Sequence, residues 1–319
     1  MTAAVAASRT PAGQRLLGAP QPIDKQPPVP PATLLPGGIV ALPGRGEVFF
    51  RDTGPRGMSL PVLLLHGWTA TADINFLATY GPLGTDRRVV ALDHRGHGRG
   101  LRSEQTFALE DCADDAAALL DVLGIDRAIA VGYSMGGPVS MLLAHRHPGL
   151  VAGLVVQATA LEWSGEVRER LRWRGLALME LAIRLGTGES TIARVLRDLS
   201  RAEPELLPLR AWLASEFRRG DAGAIADAGR ALATYDARRW AGALGIPAAS
   251  VVTTRDKLVP QSKQRALAAA LGAEVFELDA DHDAPLANMA TYGEATRLAV
   301  TSVADRAAGP AEEVPARAS

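Results

Sequence analysis

The pentapeptide Gly132-Tyr133-Ser134-Met135-Gly136 sets a hydroxyl between two glycines, the spacing at which a serine can stand on a tight strand-to-helix turn with its Oγ exposed. Ala128 to Val131 before it reads as a short buried strand, and Pro138 to His145 after it as a helix whose early proline is tolerated in a first turn. Glycines are required because the turn leaves no room for side chains beside the serine. Three fixed positions match by chance in ~0.1 of chains this long, so the strand and helix around the motif carry the argument. A helix beginning here would aim free N–H groups at a reacting carbonyl.

A hydroxyl is a poor nucleophile at neutral pH and needs a base, a task that suits histidine. Six histidines compete. His145 and His147 fall at the end of the helix after Ser134, where a cation complements the helix dipole. His94 and His97 lie in the turn Asp93-His94-Arg95-Gly96-His97-Gly98, which is too poor in further ligands for a metal site. His66 precedes Gly67 at the end of a strand and is expected to shape the backbone there. His282 remains, in Asp279-Ala280-Asp281-His282-Asp283 after the strand Val275 to Leu278, at the strand end where open parallel sheets place reactive groups. The acid that orients the base is expected between serine and histidine in chain order. Asp256, after the strand Ala249 to Val252, fits, and Glu162, after Leu154 to Val156, is the next candidate.

These residues need a sheet to hold them. Short apolar runs recur at Val62 to Leu65, Val89 to Leu92, Ala128 to Val131 and Leu154 to Val156, preceded by a hairpin of Ile39 to Leu42 and Val48 to Phe50. Helical stretches such as Phe107 to Leu123 alternate with them, which implies a parallel sheet covered on both faces. From about 163 to 240 only helical stripes appear, for instance Val167, Leu171, Leu178, Ala182 and Leu185, then Ile225, Ala228, Leu232 and Tyr235. Strand-type sequence returns at 249, with a helix from Gln261 to Leu271 and a last helix from about Leu286 to Val303. The organisation expected is a disordered proline-rich leader (1–36), a first part of an α/β core (37–160), a helical insertion (161–246), the second part of the core (247–306) and a flexible tail (307–319).

Composition narrows the function. The formal net charge is −1, which gives no field for nucleic acid or an anionic membrane. No apolar run reaches the ~18 residues of a spanning helix. The single cysteine, Cys112, can form no intrachain disulfide and fits a reducing, cytoplasmic setting; the carboxylates around it oppose a reactive thiolate.

Taken in order, Leu65-His66-Gly67-Trp68, Asp93-His94-Arg95-Gly96-His97-Gly98, Gly132-Tyr133-Ser134-Met135-Gly136-Gly137, Asp256-Lys257-Leu258-Val259-Pro260 and the late His282 resemble the successive landmarks of the α/β-hydrolase superfamily, over roughly residues 37 to 305. The resemblance implies a mostly parallel, eight-stranded-type sheet with helices on both faces and an all-helical cap at about 163 to 240. It implies an oxyanion hole made by the backbone N–H groups of Trp68 and Met135, and a serine esterase needing neither cofactor nor metal. Haloalkane dehalogenases and epoxide hydrolases of this fold use an aspartate where this chain has Ser134. The turn after Asp93 departs from the pattern with Gly100 where a serine is frequent. The expected partner is a small, uncharged, largely apolar carboxylic ester, because apolar stripes and Trp163, Trp173, Trp212 and Trp240 lie in or beside the insertion. The same triad would also serve a carbon-carbon bond hydrolase, a thioesterase, a perhydrolase or an acyltransferase, and the fold serves non-catalytic ligand binders. Oligomeric state is left open.

Overall fold

The computed structural model describes residues 28–165, 167–175, 194, 196 and 206–308. One eight-stranded sheet runs through it: β1 (Gly37–Leu42), β2 (Gly46–Asp52), β3 (Val62–Leu65), β4 (Val89–Leu92), β5 (Ala128–Tyr133), β6 (Val151–Gln157), β7 (Ala248–Thr253) and β8 (Glu274–Leu278). Their spatial order is β1-β2-β4-β3-β5-β6-β7-β8. β1 and β2 form the antiparallel hairpin at one edge, β2 pairs antiparallel with β4, and the other neighbours are parallel.

The all-apolar strands follow from burial on both faces. Val62 and Leu64 face one layer, packing with Phe76, Leu77 and Tyr80 of α1 (Ala72–Gly84) and with Ala299, Val300 and Val303 of α9 (Met289–Ala307). Leu63 and Leu65 face the other, with Leu119 of α2 (Leu109–Val122), Val139 and Leu143 of α3 (Gly136–Arg146) and Leu267 of α7 (Gln261–Leu271). Strand alternation thus sorts each run into two cores. The final helical stretch is two helices, α8 (Ala284–Ala287) and α9, meeting at Asn288.

Between β6 and β7 the described elements are α4 (Val167–Arg174), α5 (Arg210–Phe217), α6 (Ala222–Thr234) and a 3₁₀ turn (Ala241–Ala243), with one isolated bridge from Glu162 to Asp236. Ile225, Ala228 and Leu232 are the buried face of α6, as their spacing requires. The stripe beginning at Val167 and Leu171 is corrected: those two are 63% and 57% exposed. The inward face of α4 carries Glu169 and Trp173 instead, and Glu169 tolerates burial because Lys263 holds its carboxylate. Leu178, Ala182 and Leu185 lie outside the described residues, as do 1–27 of the leader and 309–319 of the tail. Leu34 and Leu35 pack on the core, and Arg51 donates to the Leu35 carbonyl. Among the described residues no helix is long and apolar enough to cross a membrane.

Candidate active site

Ser134 sits at the end of β5 with φ +53°, a left-handed backbone that costs a non-glycine residue of order 1–3 kcal/mol and persists only where the surroundings hold it. Its N–H donates to the Gln157 carbonyl and its own carbonyl accepts from Gly137 N–H, each at 2.9 Å. The flanking glycines are steric necessities. A Cβ at Gly132 would lie 2.2 Å from the Gly136 oxygen, and one at Gly136 would lie 1.9 Å from the Leu65 oxygen. The turn is therefore pressed against β3, whose end leads into the loop carrying Trp68.

His282 and Asp256 come to this turn from the ends of β8 and β7. His282 Nε2 is 3.0 Å from Ser134 Oγ, and His282 Nδ1 is 2.8 Å from Asp256 Oδ2. Asp256 Oδ1 accepts from the backbone N–H groups of Leu258 and Val259, each at 2.8 Å. Its Oδ2 accepts from Thr253 Oγ1 at 2.8 Å and from Gln264 Nε2 at 3.3 Å. With four donors besides the imidazole, the carboxylate is held in one orientation. The loop bearing His282 is fixed by Asp281 Oδ1, which accepts from His282 N–H, and by Tyr133, whose hydroxyl donates to the His282 carbonyl at 2.6 Å. Glu162 does not approach His282; it accepts from Ser164 and Gly165 N–H and pairs with Lys263. Geometry thus favours Asp256 over Glu162 as the partner of the histidine.

Neither the Trp68 nor the Met135 backbone N–H makes a hydrogen bond among the described residues. Met135 stands at the N-cap of α3, where the first amides have no partner within the helix. The Trp68 loop is shaped from beneath. Gly67 N–H donates to Asn75 Oδ1 at 2.7 Å, and His66 Nδ1 lies 2.7 Å from the Gly67 carbonyl. His66 Nε2 accepts from His94 N–H at 2.8 Å, so the proton of the neutral ring belongs on Nδ1, donated to Gly67. Thr69, next to Trp68, is itself left-handed at φ +61°.

The remaining histidines separate clearly. His66, His94 and His97 form a buried cluster with ring centroids 4.4 and 5.5 Å from His66, and burial holds His66 down at about 4 and His97 at about 3. His147 meets Asp114 at 2.8 Å, while His145 stacks on Trp240. Cys112 is fully buried and burial pushes its thiol up. At the departure from the family pattern, a Cβ on Gly100 would fall 2.2 Å from the His94 oxygen, so this turn has no room for a serine without a backbone shift. Among the described residues no three His, Cys, Asp or Glu side chains gather as they would around a metal ion.

Above Ser134 and His282 opens a cavity of about 380 Å³ lined by Trp68, Thr69, Trp163, Glu169, Trp173, Gly175, Leu232 and Leu258. The structure brings Ser134, Asp256 and His282 together, and with them Tyr133, Thr253 and Gln264, which the sequence did not single out. Tyr133 lies inside the glycine motif, whereas the reach of Gln264 depends on how α7 packs and has no local sequence signal.

A family model for the alpha/beta hydrolase fold matches residues 61–288. The chain is 35% identical over 125 residues to a non-heme chloroperoxidase of Streptomyces lividans, a stretch covering 37% of this chain and 43% of that protein. It is 36% identical over 103 residues to a bifunctional esterase/perhydrolase of Acinetobacter calcoaceticus, covering 32% of this chain and 37% of that one. The matched stretch spans less than half the length of either relative. The crystal structure of an enol-lactonase from Burkholderia xenovorans superposes with a TM-score of 0.71 at 25% identity, over 83% of this chain and 100% of the other. With the family match running from β3 through the loop of His282, the chain belongs to the α/β-hydrolase fold family.

Proposed function

We propose that the chain is a serine hydrolase acting on an uncharged, largely apolar carboxylic ester through an acyl-enzyme on Ser134. The observation that carries the reading is the continuous relay from Ser134 Oγ to His282 Nε2, at 3.0 Å, and from His282 Nδ1 to Asp256, at 2.8 Å, opening on a mainly apolar cavity. His282 takes the Ser134 proton as Oγ attacks the acyl carbonyl, and Asp256 stabilises the imidazolium. The N–H groups of Trp68 and Met135 hold the oxyanion, which is where most of the rate enhancement of such sites arises. The imidazolium protonates the leaving alcohol; water then attacks the acyl-enzyme with His282 as base again. No step calls on a metal or cofactor.

We read 161–246 as a cap on a core of 37–160 and 247–306, a reading supported by Trp163, Trp173 and Leu232 roofing the cavity. The single buried cysteine is compatible with a reducing, cytoplasmic compartment. The similarity to a non-heme chloroperoxidase and to a bifunctional esterase/perhydrolase favours perhydrolysis as a second reading, with hydrogen peroxide taking the place of water to release a peracid.

The test is kcat/KM across ethyl esters of increasing acyl length, followed by titration of released acid. Each methylene should contribute up to ~0.8 kcal/mol until the cavity is full, so the series rises and then falls. A flat series, or preference for a charged ester, contradicts the apolar reading; peracid formation faster than ester hydrolysis selects perhydrolysis.

A further inference from the structure

Three of the chain's five tryptophans, Trp68, Trp163 and Trp173, line the cavity over Ser134. They arrive from different elements: the loop after β3, the segment after β6, and α4. Trp68 and Trp173 have ring centroids 5.7 Å apart with planes tilted by 55°. Both indole N–H groups are taken by backbone carbonyls, Trp68 by Ile225 and Trp173 by Trp163, each at 2.7 Å. An indole tied at its N–H edge has only carbon edges and π faces left to offer, and its ring is already ordered before anything binds. Leu232 and Leu258 continue the apolar wall. Of the polar side chains in the lining outside the relay, Thr69 Oγ1 donates to the Trp68 carbonyl and both oxygens of Glu169 lie against Lys263 Nζ, while the buried Trp163 indole N–H has no hydrogen-bond partner among the described residues.

We propose that this cavity is a slot for an aromatic ring, so that the preferred substrates are esters carrying an aryl group one carbon removed from the acyl carbon or the ester oxygen. This rests on the ester-hydrolase reading of Ser134 and narrows its substrate class. Hydrophobic burial alone would reward a saturated ring as much as an aromatic one. Fixed indole rings add a preference for aryl partners in offset or edge-to-face contact, worth roughly twofold to tenfold beyond the area buried. The comparison that isolates this is therefore aryl against cyclohexyl at matched size, with a methylene insulating the carbonyl from the ring.

Two ester pairs are measured by titration of released acid, each rate divided by that of hydroxide-catalysed hydrolysis: ethyl phenylacetate against ethyl cyclohexylacetate, and benzyl acetate against cyclohexylmethyl acetate. At least one pair should favour the aryl ester threefold or more in kcat/KM, with the ratio falling toward one in Trp173→Leu. A ratio of one or below in both pairs overturns the slot, as does an aryl preference that survives Trp173→Leu unchanged. Binding of 4-phenyl-2-butanone and 4-cyclohexyl-2-butanone to folded Ser134→Ala, followed by tryptophan fluorescence, needs no turnover. Tighter binding of the phenyl ketone supports the slot even where no ester is hydrolysed, in which case the hydrolase reading falls alone; equal or weaker binding of the phenyl ketone contradicts the slot.

Discussion

Asp256→Asn is the substitution whose outcome the geometry fixes most tightly. The side chain is buried, with Oδ1 facing two backbone donors, Leu258 and Val259 N–H. An asparagine that turned its NH₂ toward them would set donor against donor and lose both bonds, at about 1 kcal/mol or more each. The amide oxygen must therefore take the Oδ1 place, which puts the NH₂ 2.8 Å from His282 Nδ1 where Oδ2 now stands. That NH₂ donates to Nδ1 and forces the ring proton onto Nε2, the nitrogen 3.0 Å from Ser134 Oγ. A protonated Nε2 cannot accept the serine proton. The expected loss is about 10⁴-fold in kcat. The fold should survive, because the change sacrifices chiefly the Thr253 hydroxyl bond and the 3.3 Å Gln264 contact. Gln264 keeps its bonds to Thr253 Oγ1 and the Val259 carbonyl, both 2.8 Å, so a destabilisation of about 1–2 kcal/mol is expected. Steady-state kinetics on an ethyl ester, with thermal unfolding followed by circular dichroism, reads both quantities. A variant with kcat within tenfold of the parent and an unchanged pH profile would refute the tautomer argument and with it the role given to Asp256.

Lys263→Met should lower Tm and raise KM more than it lowers kcat, since its ammonium joins Glu162 and Glu169 of the insertion to α7; their side chains are only 16% and 12% exposed, and breaking such a pair costs about 3 kcal/mol. Unchanged Tm and KM would show that this clamp contributes nothing. Stability should also fall on acidification, because burial keeps His66, His94 and His97 neutral in the folded chain. Their contribution is complete above the unfolded value of about 6.5 and is lost as pH falls below it. For His66 the loss levels off near its folded value of about 4, at about 3 kcal/mol. Urea unfolding at pH 7.5, 6 and 5 checks this; equal stability at all three would contradict it.

How much of this was legible in the sequence differed from element to element. Val62–Leu65 and Val89–Leu92 were read with their observed bounds because central parallel strands are apolar throughout and end at polar turns. Gln261–Leu271 was equally clear, stopped by Gly272 in the left-handed conformation. β6 extends three residues before the stretch read from the sequence, through Val151, Ala152 and Gly153; Gly153 has no side chain to signal a strand, and a Cβ there would meet Val303 Cγ1 at 2.3 Å. The error at Val167 and Leu171 has a different origin. Apolar spacing says which residues share a helix face, but here an ion pair with Lys263 turns Glu169 and Trp173 inward. At the candidate site, Ser134, Asp256 and His282 are legible by residue type and order, whereas Thr253, Gln264 and the carbonyls that tie down Trp68 and Trp173 act through packing between distant segments.

The central claim is that Ser134, activated by His282, is the nucleophile. Intact-protein mass after exposure to a fluorophosphonate tests it without any assumption about substrate. One adduct per chain, mapped to Ser134 and absent from Ser134→Ala, with labelling slowed by orders of magnitude in His282→Ala, is the result expected from the 3.0 Å contact of Oγ with Nε2. No adduct on the folded protein, or an adduct that persists in Ser134→Ala, would contradict it.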